Sequence, residues 1–216
     1  MIKCAVHHKI EVMSIAERPV EERTSSLGLV SVDDYLAAEL DGQVRHEYVG
    51  GMVYEMTGAT NLHIRIAGNI HGMLYVRQRG KPCQPCYADT KIRIRQPIED
   101  RYYYPDVCVV CRPAAPHEAY QDQPVILVEV LSRSTRRTDL GEKKDAYLTI
   151  PSLSVYLLVE QERAAVIAFR RTDQGFVREV YQGLDSIVPL KEIETELPLK
   201  EIYEAVEFVP ESNPAE

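Results

Sequence analysis

Two carboxylates stand where a protein rarely leaves them without a reason. Asp106 lies in "YYYPDVCVV" (residues 102–110), and Glu129 in "PVILVEVLS" (residues 124–132). A carboxylate among aliphatic side chains loses its hydration unless a cation, a partner or a proton compensates. Two of them on neighbouring strands fit a shared cation. The plainer reading is a pair of edge-strand acids bonded to nearby arginines. Three features weigh against it. Glu129 is flanked by "VILV" and "VL", the mark of a central strand. The loop "SRSTRR" sets Arg133, Arg136 and Arg137 beside the acid, as a polyanion next to a metal would require. Lys143 precedes Tyr147 by four positions and follows Leu140 by three, so its helical face turns inward, with Lys144 beside it.

Two other chemistries fall away. Cys83 and Cys86 form one CxxC, and Cys108 and Cys111 a second, at a spacing close to a zinc ribbon. Side chains three apart on a strand point to opposite faces, so these pairs cannot surround one ion, and no zinc is expected. Ser132 or Cys108 could serve as a nucleophile, but none of the six histidines lies in a motif that would expose one.

The elements that must position the acids are readable from pattern. "SVDDYLAAEL" opens with Ser31 and has Asp34 three residues on, resembling a capping box before a short helix. "RHEYVGGMVYEM" reads as two strands around a Gly50-Gly51 turn. From Thr60 to Arg79, Leu62, Ile66, Ile70, Met73 and Leu74 recur at helical spacing, giving the longest expected helix. "TKIRIRQ", "DVCVV" and "PVILVEVL" read as strands. "TRRTDLGEKKDAYL" reads as one helix starting near Thr138 or Asp139. "SVYLLVE", "AAVIAFRR" and "GFVREVYQG" follow as strands, and "LPLKEIYEAV" as a closing helix. The order indicates an α/β (α+β) domain with a mixed sheet. Residues 1–27 read as a poorly ordered extension, 28–208 as a single domain and 209–216 as a solvated tail.

On these residues the chain resembles a known family. "YYYPDVCVV", "ILVEVLSRSTRRTDLGEKKDAYLTI" and "SVYLLV" are similar to the Uma-type restriction endonucleases of the PD-(D/E)XK nuclease superfamily. "RHEYVGGMVYEMTGATNLH" is similar to that family's early segment. The resemblance implies a restriction-endonuclease-like core, a mixed central sheet flanked by helices. It implies Mg²⁺-dependent hydrolysis of DNA phosphodiesters, with Mn²⁺ as a substitute. Asp106 falls on the motif aspartate, Glu129 on the second acid and Glu47 on an early acid facing the same pocket. The superfamily lysine normally sits two residues after the second acid, where this chain has Leu131. The Uma-type lysine of the following helix falls on Lys143, with Lys144 the alternative. Asp106, Glu129 and Glu47 would hold the metal, with the Val130 carbonyl between them. Arg133, Arg136, Arg137 and Lys144 would contact DNA, and His63 would act behind the acids or merely fill a helix surface. A homodimer is implied, since cutting a duplex takes two sites. The competing class is a catalytically silent nucleic-acid-binding or protein-interaction domain that keeps the fold.

The totals set the outer limits. With 216 residues and 45% hydrophobic content the chain can bury a substantial core. A net charge of −8 argues against coating nucleic acid non-specifically, but a nuclease concentrates positive charge locally around an acidic site. No apolar run approaches a membrane span, and the first residues lack a signal peptide's apolar centre. A cytoplasmic setting is expected, with the five cysteines reduced.

Overall fold

The computed structural model describes residues 28–56, 58–97 and 100–208; the expected N-terminal extension and C-terminal tail lie outside them. Helix α1 (Val32–Asp41) starts where the sequence places it: the Ser31 hydroxyl accepts from the Asp34 amide at 3.2 Å and donates to its carboxylate at 2.7 Å. Strands β1 (His46–Val49) and β2 (Met52–Glu55) pair antiparallel around Gly50 and Gly51. Both glycines have positive φ (56° and 89°), the conformation a two-residue hairpin turn demands. Helix α2 (Asn61–Gln78) is capped by Thr60 and buries Ile66, Ile70 and Leu74.

Most of the core hangs on one mixed sheet. Its strands are β3 (Gln84–Tyr87), β6 (Val107–Val110), β7 (Pro124–Leu131), β8 (Val155–Glu160), β9 (Ala165–Thr172) and β10 (Gly175–Gln182). Their order is β10-β9-β8-β7-β6-β3, with only β7 and β8 parallel. Between those two, the chain crosses over through α3 (Arg136–Leu140) and α4 (Glu142–Tyr147). A second sheet, β2-β1-β5-β4, adds β4 (Ile92–Ile94) and β5 (Arg101–Tyr103). A small hairpin, β11 (Ile187–Leu190) with β12 (Thr195–Pro198), and the short helix α5 (Leu199–Ile202) close the described chain.

Strand alternation explains the two cores. On β7, Ile126, Val128 and Val130 face α2, while Leu127, Glu129 and Leu131 face the α3–α4 side; only the even-numbered set joins the Ile66–Ile70–Leu74 cluster. Both faces are covered, so the apolar run is continuous. The carboxylate of Glu129 therefore enters an apolar layer made by Leu127, Leu131, Tyr147 and Tyr156.

Several expectations change. The aromatic residues before "DVCVV" belong to another sheet: the chain leaves the small sheet after Tyr103 and enters the large one at Val107, with Pro105 and Asp106 at the crossing. The single helix expected to start near Thr138 or Asp139 begins at Arg136 and is two, broken at Gly141, where a Cβ would meet the Arg137 carbonyl oxygen at 2.9 Å. The closing helix is only four residues long, because Leu197 and Pro198 are drawn into β12. Strand β3 was hidden inside a CxxC whose Pro85 reads as a strand breaker; β3 lies at the sheet edge, where a proline costs no ladder bond. The cysteines occupy opposite faces, as their spacing requires. Cys83 and Cys111 join the α2-side core, and Cys86 and Cys108 pair across β3 and β6 on the other side. They are not all reduced, however: Cys83 and Cys111 form a disulfide, their Cα atoms 3.9 Å apart just beyond the ends of these strands.

Candidate active site

Asp106 is held at the crossing between sheets by two contacts. One carboxylate oxygen accepts from the Val130 amide at 2.6 Å, and the other lies 2.7 Å from Nε2 of His63. One step beyond the β6–β7 ladder, which pairs Val107 with Val128, Asp106 stands across from Glu129. His63 sits in the first turn of α2, its amide bonded to the Thr60 hydroxyl at 3.2 Å. The Gln161 amide nitrogen donates to the Leu131 carbonyl at 2.7 Å, which orients that side chain and sets the same nitrogen 3.4 Å from Nδ1 of His63. An amide nitrogen facing Nδ1 suits the tautomer in which Nε2 donates to Asp106.

The second group gathers around Lys143. Its ammonium lies 2.6 Å from Glu47, 3.3 Å from Glu129 and 3.7 Å from Asp139. The Tyr147 hydroxyl donates to Glu129 at 3.1 Å. Glu129, Asp139 and Lys143 are all buried. Burial pushes Glu129 well above the usual carboxylate range; Lys143 opposes this, while Asp139, Asp106 and Glu47 add to it. Asp139 is raised in the same way, by burial first, with Lys143 again the main opposing influence. Burial alone would lower Lys143, but Glu129, Glu47 and Asp139 more than offset it, so its ammonium is held more firmly than usual.

All four acidic and basic candidates, Glu47, Asp106, Glu129 and Lys143, thus lie in one region between the two sheets and α4. Lys144 points elsewhere, to Asp145 at 3.1 Å and over the Phe169 ring. Sequence reasoning left out Asp139, Tyr147 as a hydroxyl donor, and Gln161. Asp139 had a usable signal: four residues before Lys143, it would share that residue's face in the single helix expected there, and across the Gly141 break the two still lie 3.7 Å apart. Gln161 had none, because its contact with His63 spans the whole fold.

The basic loop is less free than expected. Arg136 grips the buried Glu160 with two bonds of 2.6 and 2.8 Å. Arg133 is highly exposed and pairs with Glu162 at 2.8 Å. Arg137 is exposed.

The donor set suits a hard cation. Around the one lysine the carboxylates are in excess, and a buried oxygen of Asp139 has no hydrogen-bond partner among the described residues. Carboxylate oxygens with surplus negative charge match Mg²⁺ or Mn²⁺. Among the described residues no three His, Cys, Asp or Glu side chains are gathered into a ready metal cage. A bound ion would therefore take one or two of these carboxylates and complete its shell with water and substrate, as Mg²⁺ commonly does.

Comparison with known proteins gives the chain its family and fold. The protein slr1290 of Synechocystis sp., uncharacterized, is 30% identical over 181 residues, 83% of this chain and 94% of its own. A second uncharacterized Synechocystis protein, sll1609, is 27% identical over 136 residues, 62% of this chain and 76% of its own. A crystal structure from Anabaena variabilis, titled a "putative nuclease belonging to DUF820", superposes with a TM-score of 0.64 at 16% identity, covering 80% of this chain and 98% of that one. That likeness shows a shared nuclease-type fold. The Uma2 family, described as "Putative restriction endonuclease", matches residues 32–200, and the chain belongs to it.

Proposed function

We propose that the protein is a divalent-metal-dependent endonuclease that hydrolyses DNA phosphodiesters. The observation that carries this is the buried acid cluster. Glu47, Glu129 and Asp139 crowd the single ammonium of Lys143, burial raises the pKa of Glu129 and of Asp139, and Asp106 stands opposite Glu129. Such a cluster costs stability and is retained where a cation and a phosphate repay it. A Mg²⁺ ion held by Asp106 and Glu129, with Glu47 on it or on one of its waters, would supply Lewis acidity and a low-pKa water. The chain's own groups do the rest. Lys143 stays protonated, so it acts as a fixed positive donor toward a phosphoryl oxygen rather than as a base. His63 and the Val130 amide fix the Asp106 carboxylate, and Tyr147 fixes that of Glu129. Arg137, with Arg133 once released from Glu162, would meet the DNA backbone. Cleavage of both strands would use two copies of the chain.

One observation favours the silent alternative. Lys143 already bridges Glu47 and Glu129, so the acids have an internal partner without any metal. The test is DNA cleavage by the full chain with Mg²⁺, Mn²⁺ or Ca²⁺, beside Asp106→Asn. Cleavage with Mg²⁺ or Mn²⁺ but not Ca²⁺, abolished by Asp106→Asn, is expected. Equal nicking by the variant means contamination, and no cleavage of any substrate by either protein leaves the silent fold as the reading.

A further inference from the structure

Beside Asp106 opens a cleft of about 180 Å³, lined by Arg45, His63, Tyr87, Tyr104 and Pro105 among others. Its outer wall continues along α2. The Tyr87 ring lies 5.0 Å from that of His71, which lies 6.1 Å from that of Tyr75, and the Arg79 guanidinium sits 5.9 Å above Tyr75. Tyr87 and Tyr75 are 37% and 54% exposed, a large aromatic area to leave in water beside a candidate active site. Between these rings α2 carries Gly68 and Gly72, where an added Cβ would meet nothing within 4 Å. Interior glycines weaken a helix, and packing inside this chain does not explain these two. What they do is keep the outer face of α2 flat.

We propose that this track, from the Asp106 cleft over Tyr87, His71 and Tyr75 to Arg79, binds unpaired nucleic-acid bases by stacking. The substrate strand would then reach the carboxylates single-stranded or locally opened rather than as an intact duplex. This deepens the nuclease reading and rests on it for the identity of the ligand. Stacking is the mode the surface suits, because aromatic faces accept any base while cationic groups follow the backbone. Arg79 puts positive charge at the far end of the rings, while Arg45 at the cleft is paired with Asp89 at 3.2 Å. Burial lowers the His71 pKa, so at neutral pH its ring joins the track uncharged.

The test reads binding in EDTA, so that it does not depend on turnover. Fluorescence anisotropy with the full chain would compare a labelled oligothymidine with a blunt duplex of the same length. Tighter binding of the single strand is expected. Tyr75→Ala and Tyr87→Ala should each weaken it roughly tenfold, and duplex binding by less than threefold. Gly68→Leu, on the open outer face, should do the same without lowering the melting temperature. Sedimentation of wild type and Tyr75→Ala supplies the other arm. Equal loss for both ligands, no loss, or no binding of single strands would overturn the proposal. So would a dimer that Tyr75→Ala separates, since the face would then cover a second copy. The nuclease reading stands or falls separately, on cleavage of any DNA in Mg²⁺.

Discussion

Lys143→Met is the most informative single change. It keeps much of the side-chain volume and removes the charge that three carboxylates share at 2.6, 3.3 and 3.7 Å. At an effective dielectric near 20, each contact is worth about 4–6 kcal/mol of gross attraction. Most of that is offset by the desolvation of a buried ammonium. Removing one partner of a buried ion pair costs a net loss of about 3–5 kcal/mol, which for a chain of this size lowers the melting temperature by roughly 6–20 °C. The loss must depend on pH. Glu129 and Asp139 are already raised above the usual carboxylate range, so the stability they allow is present at low pH and falls as pH rises through their raised values. Without Lys143 they rise further, so the deficit against wild type should be small near pH 5 and full near pH 8. The assay is urea unfolding of both proteins across that range, with Lys144→Met as control. Lys144 touches an exposed acid, and its loss should stay within about 0.5 kcal/mol. Millimolar Mn²⁺ should raise the melting temperature of Lys143→Met more than that of wild type, because the ion meets acids the lysine has vacated. A deficit that is below 1 kcal/mol, or the same at pH 5 and pH 8, would refute the charge-excess account.

Further expectations follow from the same contacts. Glu129→Gln keeps an acceptor for Lys143 and Tyr147 while removing a buried charge; without metal it should be about 0.5–2 kcal/mol more stable than wild type by urea unfolding at pH 8. It should also release fewer protons on Mn²⁺ binding by calorimetry, and a less stable variant would mean that the carboxylate is well compensated as it stands. Arg136→Ala leaves the buried Glu160 with Arg163 at 3.5 Å as its remaining cationic partner among the described residues, so it should cost about 1–3 kcal/mol of stability and leave the salt dependence of DNA binding unchanged. Arg137→Ala should do the reverse, flattening the slope of log K against log salt by about one phosphate contact. A flattened slope for Arg136→Ala alone would show that its pair with Glu160 opens on DNA.

How much of this could be read from the sequence differs by residue, and the reason is separation along the chain. Glu129 was legible because its strand is apolar on both faces, so a single charged letter stands out. Asp106 was legible only together with it, since an acid at the start of a strand is ordinary, and the crossing between two sheets at Pro105 and Asp106 leaves no mark in the pattern. The break at Gly141 was there to be seen, but a lone glycine inside a helical pattern usually passes as tolerated. Arg136 was not legible: three arginines in one loop read as a phosphate clamp, and nothing nearby in sequence pointed to Glu160, on β8, as the partner of Arg136.

That last case clarifies where the site begins. Strands β7 and β8 run parallel, so the loop after β7 ends beside the end of β8, and Glu160 stands level with Leu131. Arg136, tied to Glu160, fixes the start of α3 at that height. Lys143 and Tyr147, one turn apart on α4, then meet Glu129 on β7, and Asp139 on α3 comes within 3.7 Å of Lys143 across the Gly141 break. Gly141 lets the two short helices close over the strand without a Cβ against the Arg137 carbonyl. On this argument Arg136 is a positioning residue: it anchors the helix pair that carries the lysine. Replacing it should lower turnover through misplacement of Lys143, and Arg136→Lys, which cannot reproduce the two-pronged contact, should recover little. If Arg136→Lys cleaves DNA at the wild-type rate with an unchanged pH profile, the pair with Glu160 does not set the height of α3, and the lysine is placed by its own contacts with Glu47 and Glu129.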